Sequence, residues 1–249
     1  MKRRNLITAV GTLAIGTGTA LGTGAFSATS SSSEATMSIV TQGSDANLDL
    51  DVGNGVSSSS DIKNGLYSGG TIDEFDVNEL PKAAVEDNGQ GMVNVQVFGV
   101  TGKSNTFSKI IEVVNNDSVP YNVGFAFTGF ASFVGNGGKI TTSDINSVFK
   151  FENGGDVISG VPDAEPGSGT DLSNISFSDL GIDNPLKVSG ANTKQVDLKF
   201  NGSTSALTDH YNTAPGNFTN ANNATDGSIA SERQELVNEV TAVANPTSE

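Results

Sequence analysis

The apolar residues of this chain recur most often at every second position. In the segment ANLDLDV, apolar residues from Ala46 to Val52 alternate with Asn47, Asp49 and Asp51. That period of two indicates a β-strand with one buried face and one solvated face. Further segments rich in β-branched and aromatic residues are VNVQVFGV, TFSKIIEVV, YNVGFAFTGF, INSVFKFE and KQVDLKF.

The segment NNDSVP, residues 115–120, separates two of these candidate strands. Asn, Asp and Ser favour turns, and Pro120 cannot donate a hydrogen bond within a central β-ladder. The sequence therefore predicts that TFSKIIEVV and YNVGFAFTGF form a hairpin.

Short strands with turn signals between them predict a mainly-β protein, an antiparallel β-sandwich of jelly-roll type with long polar loops. Strands and helices do not alternate as they would in a Rossmann or TIM-barrel protein. We expect this domain to span residues 41–226. Residues 227–249 are expected to form a short C-terminal helix and a polar tail, because a capping box and an apolar 3–4 spacing coincide there. The residues concerned are Ser231, Gln234, Leu236, Val237, Val240 and Val243.

Residues 1–25 have the pattern of a signal peptide. Lys2, Arg3 and Arg4 precede a mildly apolar stretch, and Ala25 stands before the expected cleavage point at Phe26. Gly and Thr interrupt the stretch too often for a convincing membrane span, although a retained anchor is the alternative. The paired arginines leave the export route open. Residues 26–40 then form a serine-rich leader that ends in a β-prone segment.

The charge of the chain is strongly negative, with 28 acidic and 13 basic residues and a net charge of -15. Beyond residue 25 there are 10 basic and 28 acidic residues, which makes -18. Such a charge works against nucleic acid and anionic membranes as partners. It suits a salt-adapted cell, because the Debye length falls to about 3 Å in molar salt. An ordinary acidic secreted protein is the alternative.

The residues that most enzymes and cofactor sites need are scarce. The chain has no cysteine, which excludes disulfides and thiol chemistry. His210 is the single histidine, so a two-histidine zinc site is excluded, and no nucleophile elbow accompanies it. No phosphate-binding or dinucleotide motif is present. We predict no catalytic residues, no cofactor and no enzymatic activity.

Two weaker signals concern ions and glycans. Asp49 and Asp51 resemble the start of a calcium loop, but Gly53 stands where the third oxygen ligand belongs. The preferred interpretation is that both carboxylates lie on the solvent face of a strand. Five N-x-[ST] sequons are candidate N-glycosylation sites on an exported chain, namely Asn116, Asn174, Asn201, Asn217 and Asn223.

Two stretches resemble a known family. GTGAFSATSSSSEATMSIV is similar to the cleavage-site region of the TasA/camelysin-like secreted proteins, most of all the small haloarchaeal ones. TFSKIIEVVNNDSVPYNV resembles the strand, Asn-Asn turn, strand unit of that family, with Asp117 where a glycine is common. The resemblance covers residues 1–52 and 93–130. The peptidase activity linked to camelysin is not expected, because no protease residues are recognisable.

The resemblance implies assembly into fibres by strand donation, in which the N-terminal segment of one subunit fills a groove in the next. Phe26, Met37 and Ile39 are the residues expected to enter that groove. The alternative is that residues 34–40 form the first strand of their own domain. We therefore predict an extracellular filament or matrix subunit whose partners are copies of itself and other surface proteins, without membrane insertion after cleavage. A monomeric adhesion module of the same fold is the second hypothesis.

Overall fold

The computed structural model describes eleven stretches of the chain. They are residues 26–28, 33–42, 48–56, 65–68, 80–87, 93–99, 101–130, 134, 140–162, 175–207 and 236–247. The predicted signal peptide with Ala25, the single histidine His210 and the sequons at Asn174, Asn217 and Asn223 lie outside them.

The described residues include fourteen strands and the α-helix Thr142–Val148, and residues 205–207 are helical as well. The first seven strands are β1 (Phe26–Ala28), β2 (Ser33–Gln42), β3 (Leu48–Val52), β4 (Leu66–Ser68), β5 (Lys82–Asp87), β6 (Val93–Gly99) and β7 (Ser104–Asn115). They are followed by β8 (Tyr121–Phe130), α1 (Thr142–Val148), β9 (Phe149–Asn153), β10 (Asp156–Val157) and β11 (Ser159–Gly160). The last are a 3₁₀ turn (Ser178–Leu180), β12 (Leu186–Val188), β13 (Asn192–Asn201) and β14 (Val237–Pro246).

The strands form two sheets. The first has nine strands in the order β11-β8-β14-β2-β6-β5-β4, with β1 added to β2 and β12 added to β8. The second has five strands in the order β10-β9-β13-β7-β3, and all of its pairings are antiparallel. These sheets confirm the mainly-β class. Three pairings in the first sheet are parallel, β14 with β2, β4 with β5 and β11 with β8.

Apolar side chains from both sheets form one buried cluster. Phe151 of the second sheet lies with its ring centre 4.7 Å from that of Phe125 and 6.0 Å from that of Phe127, both in the first sheet. Phe149 and Phe200 make a further ring contact at 5.4 Å. Along β9 and β13 the buried residues Phe149, Phe151 and Phe200 alternate with Lys150, Glu152 and Lys199, which are not buried. A smaller cluster around Ala126, Leu180 and Ile182 covers the outer face of β8 and β14.

The C-terminal helix predicted over residues 227–249 is wrong where the structure describes that region. Val237–Pro246 form strand β14, which pairs with β8 and with β2. The ladder with β8 is irregular between Val237 and Glu239 and again between Glu239 and Val240. Such a bulge changes which face each residue occupies. Val237 and Val240 are three residues apart and yet both fully buried, so a bulged strand reproduces helical spacing.

The hairpin predicted at NNDSVP is also wrong. β7 lies in the second sheet and β8 in the first, so residues 116–120 carry the chain from one sheet to the other. Asn115, at the end of β7, is only 1 % exposed and fixes this connection. Its Nδ2 donates to the carbonyls of Val119 (2.8 Å), Val188 (3.2 Å) and Ser189 (3.1 Å). Its Oδ1 accepts the N–H of Asp117 at 2.9 Å. A sequence that favours turns thus forms the connection between the two sheets, which we call the arch.

Candidate functional site: the β2 groove

The strand β2 occupies a groove between β6 and β14, which we call the β2 groove. Along β6 it runs antiparallel, with pairs from Ser33 opposite Gly99 to Ile39 opposite Val93. Along β14 it runs parallel, with five pairs from Ser38 opposite Glu239 to Gln42 opposite Val243. An N-terminal strand therefore lies in the middle of the large sheet and joins its two parts.

The walls of the groove are apolar and buried. Val93, Val95 and Val97 of β6 are at most 1 % exposed, and Val240 and Ala242 of β14 at most 2 %. Without a strand in the groove, both walls would present unpaired backbone N–H and C=O groups along the stretches that now pair with β2. The buried valine side chains of β6 and β14 would become exposed to solvent at the same time. The groove thus requires a strand from some source for the sheet to be stable.

The register gives the position of each predicted assembly residue. Met37 lies opposite Val95, and Ile39 lies opposite Val93 on β6 and Val240 on β14. The residues opposite these two positions, Val93, Val95 and Val240, are all fully buried. Phe26 is placed differently, since it belongs to β1 and lies opposite Ala35.

Strand β1 occupies the remaining edge of β2. Its residues Phe26–Ala28 pair antiparallel with Ser33–Ala35, a stretch that β6 already pairs on its other side. β1 and β14 therefore lie along the same side of β2, one after the other. Together they cover the N-terminal and C-terminal portions of that side.

No protein-family profile, curated protein or solved structure matches this chain. The function of the groove is therefore inferred from its residues and its place in the sheet. No helix among the described residues is long and apolar enough to cross a membrane.

The two candidate cation ligands lie on β3, at one edge of the smaller sheet. Leu48 and Leu50 are buried, whereas Asp49 and Asp51 alternate with them on the outer side. The Oδ2 of Asp49 accepts a hydrogen bond from Asn116 at 2.7 Å. Within the stretches that the structure describes, no three His, Asp or Glu side chains are grouped to hold a metal ion.

The glycines of the following loop have a structural role that the sequence did not reveal. A Cβ on Gly53 would lie 2.0 Å from the carbonyl oxygen of Lys109, and one on Gly55 the same distance from that of Ser108. The backbone N–H groups of these glycines donate to the carbonyls of Ile110 and Lys109, each at 3.0 Å. The loop therefore packs flat against β7, which explains a glycine where a calcium loop would supply a ligand.

The pKa of the Asp51 carboxyl is raised by partial burial first, and then by the charges of Asp87, Asp49 and Glu112. The folded chain thus disfavours the ionised carboxyl, and ionisation lowers the free energy of unfolding. This loss of stability is absent at low pH and appears as pH rises through the raised pKa. We expect Asp51→Asn to increase the free energy of unfolding by about 0.5 kcal/mol at pH 7 in low salt, since the group is largely exposed and screened.

Denaturation of both proteins at pH 3 and pH 7, with and without molar salt, checks this expectation. The gain should vanish at pH 3, where Asp51 is protonated, and shrink in molar salt because of screening. An equal gain under all four conditions would show that charge is not its cause.

Two of the five sequons lie in the described residues. Asn116 is exposed and follows β7, whereas Asn201 is half-buried at the end of β13. The neighbouring Asp117 accepts hydrogen bonds from the N–H of Ser118 (2.6 Å) and the hydroxyl of Tyr121 (3.1 Å). Those bonds lower the pKa of the Asp117 carboxyl.

Proposed function

We propose that this protein is a secreted structural subunit of an extracellular filament or matrix, and that copies assemble head to tail by donating β2. The observation that carries the proposal is the position of β2. It is the second strand of the described chain, yet it fills the centre of the nine-stranded sheet between β6 and β14.

Exchange of β2 between copies preserves the pairings. If the strand of one copy enters the groove of the next, the same backbone bonds to β6 and β14 form again. The two arrangements differ little in contact energy, so protein concentration and linker geometry decide between them. A head-to-tail contact of this kind does not close on itself and can continue as a fibre.

The link between β2 and β3 limits how far the donated strand can reach. Five residues, 43–47, separate Gln42 from Leu48. Six extended residue steps span at most about 20 Å. A subunit that receives β2 must therefore lie directly against the donor, which favours a compact and regular fibre. Short hinges of this kind are also known to favour strand exchange over refolding into the parent chain.

We further infer that the two sheets stack as a jelly-roll-like sandwich. The shared buried cluster and the ring contacts of Phe151 support this architecture. The charge of -15 and the absence of cysteine support export into a salty medium, where acidic residues keep a protein soluble and disulfides are not required.

One observation favours the second candidate function, a monomeric adhesion module. In the structure, β2 lies in the groove of its own chain. A chain that fills its own groove is complete as a monomer, and its surface would then have to bind a different partner. The two functions differ in one measurable respect, which is whether β2 and its groove belong to the same molecule.

Because the natural chain has no cysteine, a disulfide can report which molecule supplies β2. The double variant Ser38→Cys with Asn94→Cys places thiols at directly opposite positions of the β2–β6 ladder. Opposite Cα atoms in an antiparallel ladder are close enough for a disulfide. We expect oxidation of the protein assembled in high salt to give a ladder of cross-linked dimers, trimers and larger species on a non-reducing gel.

A matched control is Thr106→Cys with Lys199→Cys, at opposite positions of the β7–β13 ladder. Neither strand is expected to exchange, so this pair should give only cross-links within one chain. If the Ser38–Asn94 pair also gives only such cross-links, and electron microscopy shows dispersed particles, strand donation is wrong and the adhesion module is favoured.

A further inference from the structure

The two sequons in the described part of the chain hold their asparagine side chains in different ways. Attachment of an N-glycan uses the Nδ2 atom of asparagine, so a site is suitable when that atom is not committed elsewhere. The Nδ2 of Asn116 donates to the carboxylate of Asp49 at 2.7 Å. The Nδ2 of Asn201 makes no hydrogen bond to any described residue, whereas its Oδ1 accepts two.

The bonds to Asn201 Oδ1 fix the sequon in a particular turn. The N–H of Ser203, the third residue of the sequon Asn201-Gly202-Ser203, donates to Oδ1 at 3.2 Å. This bond closes an Asx turn over all three residues. The hydroxyl of Ser104 donates to the same oxygen at 2.8 Å. Donation to Oδ1 draws electrons from the amide and makes the Nδ2 proton easier to remove.

The backbone also holds this turn in place. The N–H of Gly202 donates to the carbonyl of Lys103 at 2.9 Å, and its carbonyl accepts from the N–H of Gly102 at 2.8 Å. Ser203 is exposed and lies two residues beyond the end of β13. Ser104 also lines an open cleft of about 520 Å³ with Lys103, Asn105 and Thr106. A sugar on Asn201 would therefore stand beside this cleft and displace no described hydrogen bond of Nδ2.

The Asn116 site has the opposite properties. A glycan on its Nδ2 would disturb the bond to Asp49, and the carboxylate of Asp117 occupies the middle position of the sequon. The hydroxyl of Ser118 lies against Asp117 at 3.4 Å. Two carboxylates close to the reacting amide would also disfavour loss of its proton.

We propose that Asn201 is the N-glycosylation site of this pair and that Asn116 is left unmodified. In the reaction, Nδ2 of Asn201 forms a bond to the anomeric carbon of a glycan carried on a lipid pyrophosphate. The bond from that carbon to the pyrophosphate oxygen breaks, the lipid pyrophosphate leaves, and a base of the transferase takes the Nδ2 proton. In the cell this inference rests on the proposed export, whereas the test below does not.

The test uses the folded full-length chain with a purified single-subunit oligosaccharyltransferase and a lipid-pyrophosphate-linked glycan. Peptide mass spectrometry then gives the occupancy at each asparagine. We expect Asn201 to be modified at least about fivefold more than Asn116. Peptides covering residues 112–120 and 197–205 serve as matched controls, because they contain both sequons without the fold.

Two variants separate the turn from the sequon itself. Asn201→Gln should abolish modification at this position, and Ser104→Ala, which keeps the sequon but removes one bond to Oδ1, should reduce it severalfold. The inference is overturned if the folded chain is unmodified at Asn201 or modified equally at Asn116. It is also overturned if the two peptides show the same preference as the folded chain, since the fold would then have no part in the choice.

Discussion

Replacing Phe151 with alanine is expected to lower the free energy of unfolding by about 4 kcal/mol. The ring is fully buried, and it lies against Phe125 and Phe127 of the opposite sheet. Its removal takes apolar area from the core and leaves a cavity that rigid strands on both sides cannot close. Denaturant unfolding in high salt, followed by circular dichroism, measures the loss.

Phe130→Ala is the matched control. Phe130 lies on β8 of the large sheet, is only partly buried, and packs against the same buried cluster. We expect a loss of about 1 to 2 kcal/mol there, in proportion to the smaller buried area. Equal losses of unfolding free energy at the two positions would contradict the placement of Phe151 in the centre of a core that both sheets share.

The second large effect is expected at Asn115, where alanine should cost about 3 kcal/mol of unfolding free energy. The substitution removes the donor to three carbonyl groups and the acceptor of the Asp117 N–H. The carbonyl of Val188 lies in a buried position and would be left without that partner. An unsatisfied buried acceptor costs more than the net value of the bond that it lost.

The neighbouring Asn116→Ala is its control, since it keeps the turn and removes one exposed bond to Asp49. Its effect should stay within about 0.5 kcal/mol. Thermal and denaturant unfolding measure the change in unfolding free energy of each variant relative to the unaltered chain. A cost below about 1 kcal/mol at Asn115 would mean that the arch between the sheets is held by other contacts.

Much of the strand content follows from local pattern. The alternation in ANLDLDV gives β3, and KQVDLKF falls within β13. These segments are predictable because alternate burial is a property of a few consecutive residues. INSVFKFE was predicted as one strand, but its first half belongs to α1. The signal for that helix was present, because Thr141 and Asp144 form a capping box at its start.

The pairing of strands was not predictable in the same way. NNDSVP favours a turn, but the same turn can join two strands of one sheet or carry the chain to another. The choice depends on Asn115 reaching Val188 and Ser189, which are more than 70 residues away in sequence. The strand β14 was missed for a related reason. Its bulge depends on the ladder with β8, and a single sequence contains no information about that partner.

The candidate site was predictable only in part. The β-prone end of residues 26–40 indicated a strand, and the structure places Met37 and Ile39 in the β2 groove. That β14 would form the other wall could not be foreseen, because the two strands lie at opposite ends of the described chain. The predicted donation of this strand stays a prediction until the origin of β2 in the assembled protein is measured.

The parallel pairing of β2 with β14 has a mechanical consequence. A pull applied at Ser33 and at Pro246 acts on opposite ends of two parallel neighbours, so it slides one strand along the other. All five paired positions then carry the load together, whereas strands peeled apart from one end break one bond at a time.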